Sequence, residues 1–144
     1  MKSFKTKVQL SFDNGSINYD KYSGFQTRVL DSMLKFLFDE LDDKVKTGSL
    51  LDLGCGTGEA SKELLKKINF KSVHLMDISK KMLEQSKEKL NKKKIDFFQI
   101  DFDNFTNFKD YDFIISNMSL HWSLNLKKLL IKMLKSIRKD TTII

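Results

Sequence analysis

The stretch Leu51-Asp52-Leu53-Gly54-Cys55-Gly56-Thr57-Gly58 limits what this chain can fold into more than any other. Glycines at alternate positions let the backbone turn tightly and let a ligand approach where a Cβ would collide. The residues before the turn, Ser49 to Leu53, form a short apolar run of the kind a buried strand needs. After it, Ala60, Leu64, Leu65 and Ile68 recur at helical spacing across Glu59 to Ile68. A strand, a glycine turn and a helix in that order make a ligand seat at the strand's carboxyl end.

Two phosphate-binding chemistries are excluded at this seat. A dinucleotide fingerprint, G-x-G-x-x-G, would place its last glycine at position 59, where the chain carries Glu59, and that carboxylate would repel a pyrophosphate. A phosphate-gripping P-loop would need Gly-Lys-Ser/Thr, which does not follow. With Asp52 and Glu59 flanking the turn, the fitting ligand is adenosine-like, free of phosphates and cationic. S-adenosyl-L-methionine meets that description.

The remaining pattern predicts an alternation of helices and strands. Phe25, Val29, Leu30, Met33, Leu34, Leu37 and Leu41 mark an amphipathic helix, and residues 42–48 form a polar break after it. A second strand is expected over Ser72 to Met76, then a helix capped by Ser79 and anchored by Met82, Leu83 and Leu90, with polar Lys92 to Lys94 at its end. Ile95 to Ile100 reads as a third strand and Asp112 to Ser116 as a fourth, separated by a loop with Phe102, Phe105 and Phe108 as anchors. Leu126, Leu129, Leu130, Met133, Leu134 and Ile137 predict a last helix, and Thr141 to Ile144 a fifth strand. The fold class is therefore α/β, a doubly wound parallel sheet with right-handed crossovers. Residues 1–48 read as a helical cap and 49–144 as the core.

On this topology Asp77 ends the second strand and can accept hydrogen bonds from both hydroxyls of a ribose, while Asp101 ends the third on the same sheet edge. Cys55 reads as a small buried hydrophobe rather than a nucleophile. One cysteine and two histidines cannot build a structural zinc site or an intramolecular disulfide, and a cytosolic, reducing location is the expectation. No apolar run reaches the ~18 residues of a membrane span. The formal charge of +7 favours an acidic partner, although the lysines between Lys62 and Lys94 also read as a solvated face.

The block LDLGCGTG, followed by Asp77, Asp101 and a strand ending in Ser116-Asn117, resembles the class I S-adenosylmethionine-dependent methyltransferases over nearly the whole chain from Leu50. The resemblance implies a Rossmann-like, seven-stranded sheet, which this chain would leave truncated after about its fifth strand. It implies cofactor binding by Asp52, Gly54, Gly56, Gly58, Asp77, Ile78, Met82 and Asp101, with the Phe102 amide near the adenine and the Asn117 backbone near the methionine part.

A narrower resemblance lies outside the core. Phe12, Tyr19 and Gln26, with the block Ser116-Asn117-Met118-Ser119-Leu120-His121-Trp122, are similar to the malonyl-acyl-carrier-protein O-methyltransferases of biotin biosynthesis. That likeness implies methylation of a malonyl carboxylate on acyl-carrier protein, with Tyr19 covering the cofactor and His121 facing the substrate in place of the family's usual glutamine. A methyltransferase for another small molecule or for tRNA, and a non-catalytic nucleoside-binding module, are the alternatives. Nucleic acid ranks below acyl-carrier protein as a partner.

Overall fold

A computed structural model of the chain describes residues 3–40, 48–91 and 94–144. Five strands, β1 (Ser49–Leu53), β2 (Ser72–Asp77), β3 (Ile95–Gln99), β4 (Phe113–Ile115) and β5 (Thr142–Ile143), form one sheet in the order β3-β2-β1-β4-β5. Every neighbouring pair is parallel. The order reverses at β1, where the chain leaves one half of the sheet for the other, and the crevice outside the carboxyl ends of β1 and β4 opens at that point.

The inner strands β1, β2 and β4 are largely buried on both sides because helices cover both faces. Leu50, Val73, Leu75, Phe113 and Ile115 point into a core with Leu64 from α4 (Glu59–Lys67), Ile68 just past its end, and Leu83 from α5 (Lys80–Lys89). The alternate residues Leu51, Leu53, Met76 and Ile114 point into a second core with Leu129 and Met133 of α6 (Leu126–Ser136). This period-two alternation fixes the register, since a slip of one residue would exchange the two cores.

Three helices precede the sheet: α1 (Phe4–Gly15), the single turn α2 (Tyr19–Tyr22) and α3 (Gly24–Glu40). Leu30, Leu34 and Leu37 bury α3 against the first core. The predicted elements from Ser49 onward are present with ends shifted by a residue or two; β2 runs on to Asp77, and the 101–110 loop contains 3-10 turns at Phe102–Asn104 and Phe108–Asp110. Leu41, the polar break through Thr47, and Lys92 and Lys93 lie outside the described residues.

Candidate functional site

The glycine turn is fastened to the end of β2. The Cys55 N–H donates to the Met76 carbonyl at 2.8 Å, continuing the ladder one step past the strand. The Gly56 N–H then donates to Asp77 Oδ2 at 2.9 Å, and the Ser79 N–H to Asp77 Oδ1 at 2.8 Å. Burial pushes the Asp77 carboxyl up, and its bonds from the Ser79, Gly56 and Ile78 amides act in the opposite direction. Ser79 caps α5 by accepting from the Met82 N–H at 3.1 Å and donates its own proton to Asp13 of α1 at 2.6 Å.

Gly54 and Gly56 are glycines for different reasons. Both have φ in the left-handed region, +70° and +54°. A Cβ on Gly54 would stand 2.5 Å from the Ser119 Cβ, so that position admits no side chain. At Gly56 a Cβ would meet nothing within 4 Å. Gly56 borders a cavity, and the open space is where a ligand can reach the backbone.

The segment after β4 forms the opposite wall. Ser116 and Ser119 both donate to the Leu53 carbonyl, at 2.9 and 2.6 Å. Between them Met118 holds φ +53°, which is uncommon for a residue with a side chain and concentrates at functional sites. The Asn117 side chain donates through Nδ2 to the Gln26 carbonyl of α3 at 3.3 Å. Among the described residues, Gln26 Oε1 and Asn117 Oδ1 are buried and accept no hydrogen bond.

Beyond β3, Asp101 Oδ1 accepts from Lys5 Nζ at 2.8 Å and from the Asp103 N–H at 3.0 Å. Lys5 also pairs with Asp103 at 2.8 Å and lies 4.8 Å from the Phe102 ring centroid. Burial would raise Asp103, but bonds from Lys5, Ser123 and the Leu124 amide hold it below the usual carboxylate range. The Lys5 helix, α1, crosses the crevice with Phe12 edge-on to Trp122, at 5.6 Å between centroids, and to Tyr19, at 6.3 Å. In the next turn Asp20 accepts from Thr57 Oγ1 at 2.6 Å and from Lys89 at 2.8 Å, tying α2 to the glycine turn. Burial and the nearby Asp77 and Asp20 charges raise the Tyr19 phenol, so it stays protonated and can donate but not act as a base.

Of the residues expected to bind, Tyr19, Asp52, Gly54, Gly56, Asp77, Ile78, Met82, Asp101, Phe102 and Asn117 all border one cavity. Gly58 stands outside that lining, packed against Ser86 of α5 and Leu90 at its C-cap, where it lets α4 and α5 approach. His121, expected to face the substrate, is exposed and outside the lining; its neighbour Trp122 reaches the cavity instead. Tyr22 is likewise exposed. Lys5, Val8 and Asp20, which no sequence motif marks, share the lining with Thr57 and Ser119 of the two quoted blocks. A signal for the first two existed, since Lys5, Val8 and Phe12 fall at steps of three and four on one helical face.

The cavity's charge is acidic. Asp52 is fully buried, with its carboxylate accepting from Ser61 Oγ at 2.7 Å. Burial, opposed by the Ser61 bond and reinforced by the Asp77 charge, pushes its carboxyl up to about 7. Cys55 is buried among the same acids, and burial followed by the Asp52 and Asp77 charges raises its thiol, so it is no nucleophile at neutral pH.

Residues 50–140 match the methyltransferase domain family. The chain belongs to the S-adenosylmethionine-dependent methyltransferases. Similar curated methyltransferases include malonyl-acyl-carrier-protein O-methyltransferase 2 of Ilyobacter polytropus, 32% identical over 126 residues, covering 87% of this chain and 47% of that protein. The corresponding enzyme of Acetivibrio thermocellus is 29% identical over 136 residues, covering 94% of this chain and 47% of that protein. The chain thus spans about half the length of the curated relatives it matches.

Among solved structures, an S-adenosyl-L-methionine-dependent methyltransferase of Methanococcus maripaludis superposes with a TM-score of 0.72 at 19% identity, over 96% of this chain and 61% of that one. Magnesium protoporphyrin IX methyltransferase of Synechocystis gives 0.72 at 20% identity, over 95% and 73%. These likenesses establish the class I methyltransferase fold.

The residues present fit the family's cofactor. A backbone approach is open at Gly56, two strand-end carboxylates face the cavity, and two buried acceptors in its wall have no donor among the described residues. No helix of the described residues is long and apolar enough to cross a membrane, and no cluster of metal-ligating side chains occurs among them.

Proposed function

We propose that this methyltransferase esterifies the free carboxylate of a malonyl group carried on acyl-carrier protein, the step that masks the malonyl charge early in biotin synthesis. The observation that carries this reading is convergence. Phe12, Tyr19 and Gln26 from the amino-terminal helices meet Asn117 and Trp122 from the segment after β4 around one cavity, and these are the residues of the narrower resemblance. The names of the curated relatives at 29–32% identity support the same substrate.

In this reading residues 1–48 are a cap over the sheet's carboxyl edge and 49–144 the cofactor-binding core. When bound, S-adenosylmethionine supplies a methyl group on a sulfonium, open to in-line displacement. Asp77 accepts from the ribose, and Asp101 and the Phe102 amide meet the adenine. Gly54 and Gly56 let the backbone close on the ligand, Ile78 and Met82 border the base, and Asp52 adds negative charge to the wall. Tyr19 covers the site with a protonated phenol.

The malonyl carboxylate is ionised at neutral pH, with an unperturbed carboxyl pKa of about 4, so no base must remove a proton from it. Positioning and exclusion of water carry the acceleration, which intramolecular models put at ~7–11 kcal/mol. The aromatic lining of Phe12, Tyr19 and Trp122 suits that exclusion. The basic lysines of α4 and α5 complement an acidic carrier protein.

The test is to incubate the chain with methyl-labelled cofactor and either malonyl-acyl-carrier protein or bulk tRNA. Base-labile label on the carrier protein is expected; label on tRNA, or on neither, contradicts the proposal.

A further inference from the structure

We infer that Lys89, which stands outside the cavity, is a positioning residue: through Asp20 it keeps α2, and Tyr19 with it, closed over the bound cofactor. The inference rests on the reading in which Tyr19 covers the site and deepens it, assigning what holds Tyr19 there and what breaks before the ligand leaves.

Little else keeps α2 in place. None of its four residues is buried, and Tyr22 and the preceding Ile17 are 74% and 82% exposed. An element that buries no side chain gains little from packing and belongs to the least stable parts of a fold. Among the described residues, no backbone hydrogen bond joins residues 19–22 to the sheet, α4 or α5. The side-chain hydrogen bonds between α2 and the core all go to one carboxylate, that of Asp20.

Lys89 suits that task. It lies in the last turn of α5, with its side chain 19% exposed. Its ammonium has three protons to give and three acceptors around it: Asp20 Oδ2 at 2.8 Å, Glu59 Oε2 at 2.8 Å and Thr57 Oγ1 at 3.0 Å. Thr57 donates to the other Asp20 oxygen at 2.6 Å, so both oxygens of that carboxylate are held from the core. Burial would raise Asp20, but the bonds from Lys89 and Thr57 hold it below the usual carboxylate range. An isolated surface ion pair contributes little, whereas a network around a largely buried ammonium contributes more, because water competes for it less.

Asp20, Thr57 and Glu59 border the cavity and Lys89 does not, so its effect on a ligand passes through them. Tyr19, next to Asp20, borders the same cavity, with its ring edge-on to Phe12 of α1 at 6.3 Å. Breaking the Asp20–Lys89 contact frees the turn that carries Tyr19 while the glycine turn stays fastened to Asp77. Release is then governed at the cap and not at the seat.

The experiment measures association and dissociation rates of S-adenosylhomocysteine by stopped flow, following the emission of Trp122, which borders the cavity. It compares the unaltered chain with Lys89→Met, Asp20→Asn and the double variant. In Lys89→Met, Glu59 keeps its bond from Lys62 at 2.9 Å, so the start of α4 is not left unpaired. Each single variant is expected to raise the dissociation rate roughly 10-fold, as loss of a hydrogen bond between charged groups does, without lowering the association rate. The double variant is expected to release no faster than the faster single one, since both changes break one contact. Raising sodium chloride from about 0.05 M to about 1 M should speed release from the unaltered chain by a larger factor than from either variant.

A second measurement needs no ligand. Amide hydrogen exchange at residues 19–22 of the free chain is expected to run roughly 10-fold faster in Lys89→Met, with α3 unchanged. Unchanged dissociation or exchange in the variants, an affinity loss carried by slower association, or rate increases that multiply in the double variant overturn the inference while leaving the cofactor reading intact. If the unaltered chain does not bind S-adenosylhomocysteine, the cofactor reading fails and this inference with it.

Discussion

The carboxylate of Asp77 accepts the Gly56 N–H at 2.9 Å, so the end of β2 holds the glycine turn that follows β1. One buried side chain thereby shapes the turn and presents its remaining lone pairs to the cavity. The two roles are separable by substitution.

Asp77→Ala leaves the Gly56 and Ser79 N–H groups without their acceptor, a loss of about 1–3 kcal/mol for each that stays buried and unpaired. Affinity for adenosyl compounds is expected to fall at least 100-fold, roughly the cost of losing bonds on that scale. Asp77→Asn keeps the shape and one acceptor and should recover part of the stability but little of the binding. Urea unfolding and calorimetry on the two variants measure each effect.

The two glycines make opposite predictions. In Gly54→Ala the new methyl meets Ser119 at 2.5 Å on a backbone at φ +70°, and the fold should be strongly destabilised. Gly56→Ala has no clash within 4 Å and carries only the left-handed penalty of about 1–2 kcal/mol. It should fold and yet lose adenosyl binding, because its methyl enters the cavity. Melting temperature and ligand titration together distinguish the pair.

Asp52 gives the fold a pH dependence of defined sign. Its carboxyl stands at about 7 in the folded chain against an ordinary value of 3.8, so the native state holds the proton more tightly. The contribution to stability is therefore complete below about 4 and is lost as pH rises through about 7. Asp52→Asn, which can still accept from Ser61, should match the natural chain near pH 4 and exceed it at pH 8 by an amount on the order of a few kcal/mol. Urea midpoints across that range test it; a natural chain whose stability stays level from pH 4 to 8 would contradict the assignment.

Trp122 is the single tryptophan of the chain and touches α1 through Phe4 and Phe12, at centroid distances of 6.4 and 5.6 Å. Lys5 anchors that helix to Asp101 and Asp103. Lys5→Met should loosen α1 and shift Trp122 emission to the red, with a stability loss of about 1–3 kcal/mol from the two carboxylates that lose their ion-pair partner. The emission should be more sensitive to salt in the natural chain than in the variant.

The sheet was legible because local signals and packing agree along it. Apolar runs at Ser49–Leu53 and Ser72–Asp77, the glycines between strand and helix, and the Ser79 cap each have one structural solution in a parallel sheet. That Asp77 and Asp101 line one cavity was legible for the same reason, since strand ends place them on one edge. The amino-terminal helices were less so. α1 leaves its apolar Phe4 and Leu10 partly exposed, so its apolar face is blurred, and its contacts at Lys5–Asp101 and Asp13–Ser79 span most of the core in sequence. His121 and Trp122 are adjacent, and the 3-10 turn at Leu120–Trp122 decides which one faces the cavity, a choice that motif spacing does not encode.

The central claim is that the glycine turn and its bordering acids hold a cationic sulfur nucleoside and not a dinucleotide. Calorimetric titration of the chain with S-adenosylmethionine, and separately with NAD, tests it most directly. The account predicts saturable one-to-one binding of S-adenosylmethionine and no binding of NAD; NAD binding with equal or greater affinity, or no heat from S-adenosylmethionine, would contradict it.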